Sequence, residues 1–384
     1  MSIIKTDEIQ SRTSGNRVVL PDVNNYPPYR NLIINGDMSI AQRSTSEASK
    51  GADAGYFTVD RMYYFENGTT DVRFTQSQST DVPSGQGFAS SIKFDCTTAD
   101  TSLATDNQLV LKHRLEGQNL QQIKFGTSSA ESLTLSFWIK STKTGTFIVE
   151  LSREGSRKIS KSYTVSSSDT WEKKTLTFSP DTGGSALSND NSNRLEVNMY
   201  MGVGTNYSSG TLNTSWSAPS NTDRAVGQVN AFDNTSNNIL FTGVQLEVGT
   251  SATPFEFLPY DVNLRRCQRY FYKIESTGTT SNNNVTTGFT FGTAGVQSNV
   301  KMEVTMRATP SFSYDIGANG LVLSNNVDSV TASVPKVYAF APFGGLLYFD
   351  SDLSGTFGAS HRPVNVSFNT SPTQTKVLKF SAEL

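Results

Sequence analysis

Few residues in this sequence are equipped for catalysis. It has two histidines, His113 and His361, and two cysteines, Cys96 and Cys267. Neither histidine stands at a metal-ligand spacing, and neither Gly-x-Ser-x-Gly nor His-Glu-x-x-His occurs. His113, within Leu109-Val110-Leu111-Lys112-His113-Arg114, reads as a surface strand residue. The cysteines lack a neighbour that would activate a thiolate. They read as buried free thiols of a reducing compartment, with a mutual disulfide as the other option. What remains is a carboxylate pair, because glycoside hydrolysis needs two acids. Glu247 and Glu256 are the candidates, against a solvated or bridging role for both. No catalytic residue, cofactor or metal ligand is assigned.

Binding chemistry has more to work with. Sugars are held by aromatic faces against the C–H side of the ring, with amides and carboxylates on the hydroxyls. Trp138 is out of phase with the apolar residues of its strand. Trp216 lies in the polar stretch Asn213-Thr214-Ser215-Trp216-Ser217, with Tyr207 shortly before it. These three are the candidate carbohydrate-binding residues. The competing readings are that a neighbouring chain or domain covers Trp138 and that Trp216 pins its own loop. Trp171 reads as a sheet-edge packing residue.

Strands must position these side chains. In Leu133-Thr134-Leu135-Ser136-Phe137-Trp138-Ile139-Lys140 the apolar residues fall on one face. Similar alternation runs through residues 147–151, 174–178, 195–201 and 239–248, the mark of antiparallel sheets packed face to face. Beyond about Arg266 a second β unit begins. Val300–Met306 alternates as a strand closed by Pro310, and residues 337–340, 346–349, 364–368 and 377–380 continue the unit. The best helical candidate is short, Asn263–Arg269. The expected fold is all-β: an antiparallel jelly-roll sandwich over 31–262, then a smaller β-sandwich over 263–384. Residues 1–30 form an extended segment whose Ile3, Ile4 and Ile9 need a partner surface, since so short an element cannot bury its own apolar groups.

Composition sets the outer limits. The chain has 384 residues, enough for two or three domains. Charged residues make up 17 % and aromatic residues 10 %, and the formal net charge is -2. Disordered chains carry fewer aromatics and more net charge. Nucleic-acid binding needs a basic stripe, and no Lys/Arg cluster exceeds Arg265-Arg266. No apolar run approaches the roughly 18 residues of a membrane helix, and the first residues lack the apolar core of a signal peptide.

Several stretches carry a resemblance. Asn31-Leu32-Ile33-Ile34-Asn35-Gly36-Asp37-Met38-Ser39-Ile40-Ala41-Gln42-Arg43 resembles the opening strand of carbohydrate-binding-module-like jelly rolls in phage tail fibres and tailspikes. Phe241–Gly249 with Ala252–Glu256 resembles their last strand and exit. The stretch from Tyr260 through Cys267-Gln268-Arg269-Tyr270-Phe271-Tyr272 resembles the passage into a C-terminal unit, and Phe380-Ser381-Ala382-Glu383-Leu384 the usual ending. Ile4–Gln10 is similar to the leader of phage fibre and decoration proteins.

The resemblance implies a non-enzymatic bacteriophage virion protein made in the host cytoplasm. It would be a homotrimer, attached through its N-terminal segment to other virion proteins, with the C-terminal unit outward. As a receptor-binding tail fibre it would bind bacterial surface polysaccharide or lipopolysaccharide. The alternatives are a capsid decoration, head-fibre or tail-adaptor protein with no glycan ligand, and a glycan depolymerase. Related jelly rolls hold a structural calcium between the Asn-Gly-Asp opening and acids of the last strand. Here Thr242-Gly243 stands where the acids would sit, and calcium wants about six to eight oxygens.

Overall fold

The computed structural model describes residues 28–153, 157–276, 284–291, 295–316, 321–324, 329–332, 335–350, 362–368 and 376–384. Ile3, Ile4, Ile9 and His361 lie outside them. The first unit contains β1 (Ser46–Lys50), β2 (Tyr63–Asn67), β3 (Arg73–Ser79), β4 (Ser91–Thr98), β5 (Gln108–Glu116), β6 (Leu133–Ser141), β7 (Gly145–Arg153), β8 (Arg157–Val165), β9 (Glu172–Phe178), β10 (Asn193–Val203) and β11 (Asn238–Val248). They form two antiparallel sheets, ordered β1-β3-β4-β11-β6-β9 and β2-β5-β10-β7-β8. Alternation drives the packing. Leu133, Leu135, Phe137 and Ile139 of β6 meet Phe147, Val149 and Leu151 of β7 in one core, all fully buried. This is the expected jelly-roll sandwich.

The last strand departs from simple alternation. Ile239 and Phe241 enter the core, but the next inward residues are Val244 and Leu246. A bulge between Thr242 and Gln245 inserts the extra residue, with Gly243 at φ 60°. Asn31 stitches across the disturbed edge. Its Nδ2 donates to the Val244 carbonyl (3.1 Å), and its Oδ1 accepts from the Leu246 N–H (3.1 Å). The segment 31–43 is therefore not the opening strand its resemblance implied. It is a pinned loop, with Asn35 and Met38 at positive φ. The Asn35 side chain satisfies the loop's backbone, bonding Ile40 N–H and the carbonyls of Ile40 and Asp60.

Helix α1 (Tyr260–Gln268) follows, straddling the boundary expected at 262/263. The second unit contains β12 (Phe271–Ser276), β13 (Asn284–Thr290), β14 (Gly295–Lys301), β15 (Ser311–Asp315), β16 (Leu321–Ser324), β17 (Ser329–Ala332), β18 (Pro335–Ala341), β19 (Gly344–Asp350), β20 (Pro363–Phe368) and β21 (Lys376–Ser381). A three-stranded sheet, β12-β21-β15, shares one core with a seven-stranded sheet, β17-β16-β20-β13-β14-β19-β18. β17 and β18 sit at opposite edges of that sheet, yet Ala332 and Pro335 are three steps apart in sequence. Three steps span at most about 11 Å, whereas six flat strand spacings cover roughly 29 Å. The sheet must curl until its edges approach. The strand expected over 300–306 stops at Lys301. Beyond it Met302 and Met306 turn into the core, their N–H groups bonding Phe343 and Pro342 carbonyls.

Candidate functional site

The outer face of the first sheet carries Trp138, one of the aromatic residues expected to meet a ligand. Trp138 of β6 points outward and is half-buried, flanked by Thr242 of β11 and Lys173 of β9. The bulge at Gly243 makes room beside it. A Cβ there would lie 2.5 Å from Phe88 Cζ and 3.1 Å from Trp138 Cδ1, so glycine lets both rings close over the strand. Phe88 continues into a cluster with Phe255 (5.1 Å between centroids) and Phe257 (5.2 Å), the last half exposed.

Polar groups border the aromatic ones. Trp171, just before β9, donates its indole N–H to Asp81 Oδ1 (2.9 Å). Lys140, two residues after Trp138 on the same face, pairs with Asp81 (2.9 Å) and Asp169 (3.1 Å). Partial burial raises the Asp81 carboxyl, but hydrogen bonds from Lys140 and Trp171 outweigh it and hold the group below the usual range. The hydrogen bond to Asp81 chiefly raises Lys140. The patch thus combines ring faces, a fixed carboxylate and a fixed ammonium on a rigid sheet, the equipment for C–H stacking and hydroxyl recognition.

Trp216 and Tyr207 are placed differently from the expectation of an exposed platform. Trp216 is 9 % exposed, packs edge-on against Phe125 (5.3 Å) and donates its N–H to the Ser179 carbonyl (2.7 Å). Tyr207 is 8 % exposed, and its hydroxyl accepts from Asn67 Nδ2 (3.1 Å). The polar composition around Trp216 hid this, because the loop satisfies its polar groups locally while the indole reaches inward. The loop also carries Arg224, bidentate on buried Glu150 at 2.9 Å, and so closes over the second sheet's outer face.

The remaining candidates are structural in their contacts. His113 is buried rather than on the surface, because it lies on the inward face of β5 in phase with Leu109, Leu111 and Leu115. Its Nε2 accepts the Ile34 N–H (3.3 Å), and burial holds its pKa well below the ordinary value. Cys96 and Cys267 are buried and unpaired. Glu247 and Glu256 are buried beside the Arg30 guanidinium (3.9 and 3.7 Å). Thr253 occupies the first, and the Asn31 N–H the second. Both bridge the exit segment to the opening loop, with no free oxygen pair aimed at a substrate. Asp37 accepts from Ser39 and Asn263 (3.1 Å each). Among the described residues no group of three or more His, Cys, Asp or Glu gathers as metal ligands.

Sequence reasoning gave no sign that the motif-bearing stretches meet. Gln42 bonds the Phe271 carbonyl (2.9 Å), and Arg43 lies over the Phe271 ring (3.8 Å) and pairs with Glu383 (3.0 Å). Arg269 forms a bidentate pair with buried Glu116 (2.8 Å each), and the Tyr270 hydroxyl also donates to Glu116. The Ala382 N–H reaches the Tyr270 carbonyl (2.8 Å). These stretches weld the two units together.

No protein-family model matches the chain, and no curated protein matches it. Similar solved structures include the enzymatically active domain of tailspike protein 4 of bacteriophage CBA120. It is 16 % identical over 58 % of this chain, with a TM-score of 0.30, and the chain spans only 22 % of its length. Others are a putative sugar-binding protein from Bacteroides thetaiotaomicron (14 %, 57 % of this chain and 99 % of that one, TM-score 0.30) and the family 11 carbohydrate-binding module from Clostridium thermocellum, in complex with a mixed-linked tetrasaccharide (10 %, 55 % and 99 %, TM-score 0.27). Likenesses this distant say nothing of ligand or activity.

Proposed function

We propose that this chain is a non-enzymatic fibre subunit of a bacteriophage particle that binds host surface glycan on the outer face of its first sheet. The observation that carries the glycan reading is the Trp138 patch: an outward, half-buried indole on β6, with Lys140 two residues on held by Asp81, which also takes the Trp171 N–H. Attachment through the N-terminal segment and assembly as a homotrimer belong to the same proposal. They rest on the resemblance of residues 1–43, 241–272 and 380–384. The welded junction suits a fibre, because a load passed along the chain is shared by buried ion pairs instead of a linker.

Binding of the full-length protein to purified host polysaccharide and lipopolysaccharide tests the reading. Trp138→Ala and Trp171→Ala should each weaken affinity about tenfold, the size of one good aromatic contact. Unchanged binding in both variants would move the site elsewhere. Light scattering should return three times the 41.8 kDa chain mass, and a monomer would end the trimer proposal.

A second reading, a decoration or adaptor module with no glycan ligand, is favoured by one observation. Gln42, Tyr270, Phe271 and Ala382 of the resemblance-bearing stretches are buried where the two units meet. Failure of every host envelope fraction to bind would select it.

A further inference from the structure

A cleft of about 440 Å³ opens where the jelly roll meets helix α1. Tyr29, Asn31, Gln118, Asn119, Gln122 and Arg266 line it, and none of its lining residues is acidic. Its size is that of a small-ligand site. Two arginines reach it and they are not equivalent. Arg269 is neutralised by its bidentate pair with Glu116. Arg266 has no ion pair among the described residues. Its one hydrogen bond is a long contact to the Asn31 carbonyl (3.5 Å). Burial pushes this guanidinium below its ordinary pKa, and the nearby Glu256, which also faces Arg30, only partly offsets it.

The surroundings suit a sugar more than a bare ion. Gln122 and Asn119 are exposed and make no side-chain hydrogen bond among the described residues, leaving amide donors and acceptors free for hydroxyls. Tyr29 is 59 % exposed at the rim and offers a ring face. We propose that this cleft binds an acidic sugar residue, its carboxylate on Arg266, its hydroxyls on Asn119 and Gln122, and its apolar face on Tyr29. A planar guanidinium takes a carboxylate through two parallel hydrogen bonds, which fixes the sugar's orientation. The inference extends the glycan reading to a second, charge-selective site that stands or falls without the Trp138 patch.

Calorimetry on the full chain tests it with three probes: glucuronate, glucose and inorganic phosphate. Saturable glucuronate binding is expected, at least tenfold tighter than either other probe. Arg266→Gln should lose that binding at least tenfold. Asn119→Asp, a charge added at an exposed rim position that cannot unfold the chain, should do the same. Trp138→Ala should leave it unchanged, which separates this site from the outer-face proposal. No saturable glucuronate binding, wild-type affinity in Asn119→Asp, or glucose bound equally well would overturn the proposal. Phosphate bound as tightly as glucuronate would also overturn it, showing an anion site without sugar recognition.

Discussion

Arg61 and Glu383, 322 positions apart in sequence, meet as an ion pair in which the arginine side chain is fully buried. Arg61 also lies over the Tyr270 ring (3.6 Å) and donates to the Arg114 carbonyl (2.7 Å), while Glu383 holds Arg43 as well. One carboxylate from the second unit thus neutralises two arginines of the first.

Removing that carboxylate leaves Arg61 charged and unpaired in the interior. Glu383→Ala should therefore destabilise the chain by about 3–5 kcal/mol, the cost of breaking a buried pair from one side. Chemical denaturation of the full chain measures it. A double cycle with Arg61→Met should recover much of the loss, because the stranded charge is gone.

Gly36 tests the opening loop. Its N–Cα–C lies so close to β11 that a Cβ would sit 2.0 Å from the Val244 carbonyl oxygen, and its own carbonyl accepts the Val244 N–H at 2.9 Å. Both clashing partners are backbone, so no rotamer relieves the overlap. Gly36→Ala should cost about 3 kcal/mol or more, read as a fall in denaturation midpoint at unchanged slope.

Acid should loosen the β7–β8 end of the sandwich. Burial raises the Asp181 carboxyl, but hydrogen bonds from Arg157 (2.7 Å) and Arg153 (2.9 Å) outweigh it and depress the pKa. A depressed carboxyl contributes stability above its unfolded pKa, about 3.9, and loses it as pH falls through the folded value. Asp181→Asn should reduce stability at neutral pH by about 2–3 kcal/mol and flatten the decline below about pH 4.

Two buried groups should oppose each other between about pH 4 and 6.5. Burial raises Asp60 to about 6, so its contribution is present at low pH and lost as pH rises through 6. Burial and the nearby Arg61 and Arg266 charges depress His113, whose contribution is present above about 6.5 and lost as pH falls. His113→Gln should expose the Asp60 slope. Stability of that variant should rise as pH drops from 6.5 toward 4.5 relative to wild type, and parallel curves would refute the assignment.

The alternation of residues 133–140 and 147–151 was enough to place two facing antiparallel sheets, because one-sided burial demands that period. It was legible without a partner strand in view. The outward phase of Trp138 was legible for the same reason, since side-chain direction along a strand is local. Trp216 was not. A loop residue's direction depends on which surface the loop closes over, and only the packed chain places Phe125 and the Ser179 carbonyl beneath it. His113 shares the inward face of β5 with Leu109, Leu111 and Leu115, so its burial was legible in the period; the bond it accepts from the Ile34 N–H, 79 positions away, was not. The bulge at Gly243 broke the period in a stretch that reads as continuous alternation. The ion pairs of Arg61 with Glu383 and Arg269 with Glu116, and the solitary Arg266 in its cleft, were decided by tertiary structure alone. A charge's partner is chosen by proximity in space, and these distances close only when both units are folded against each other.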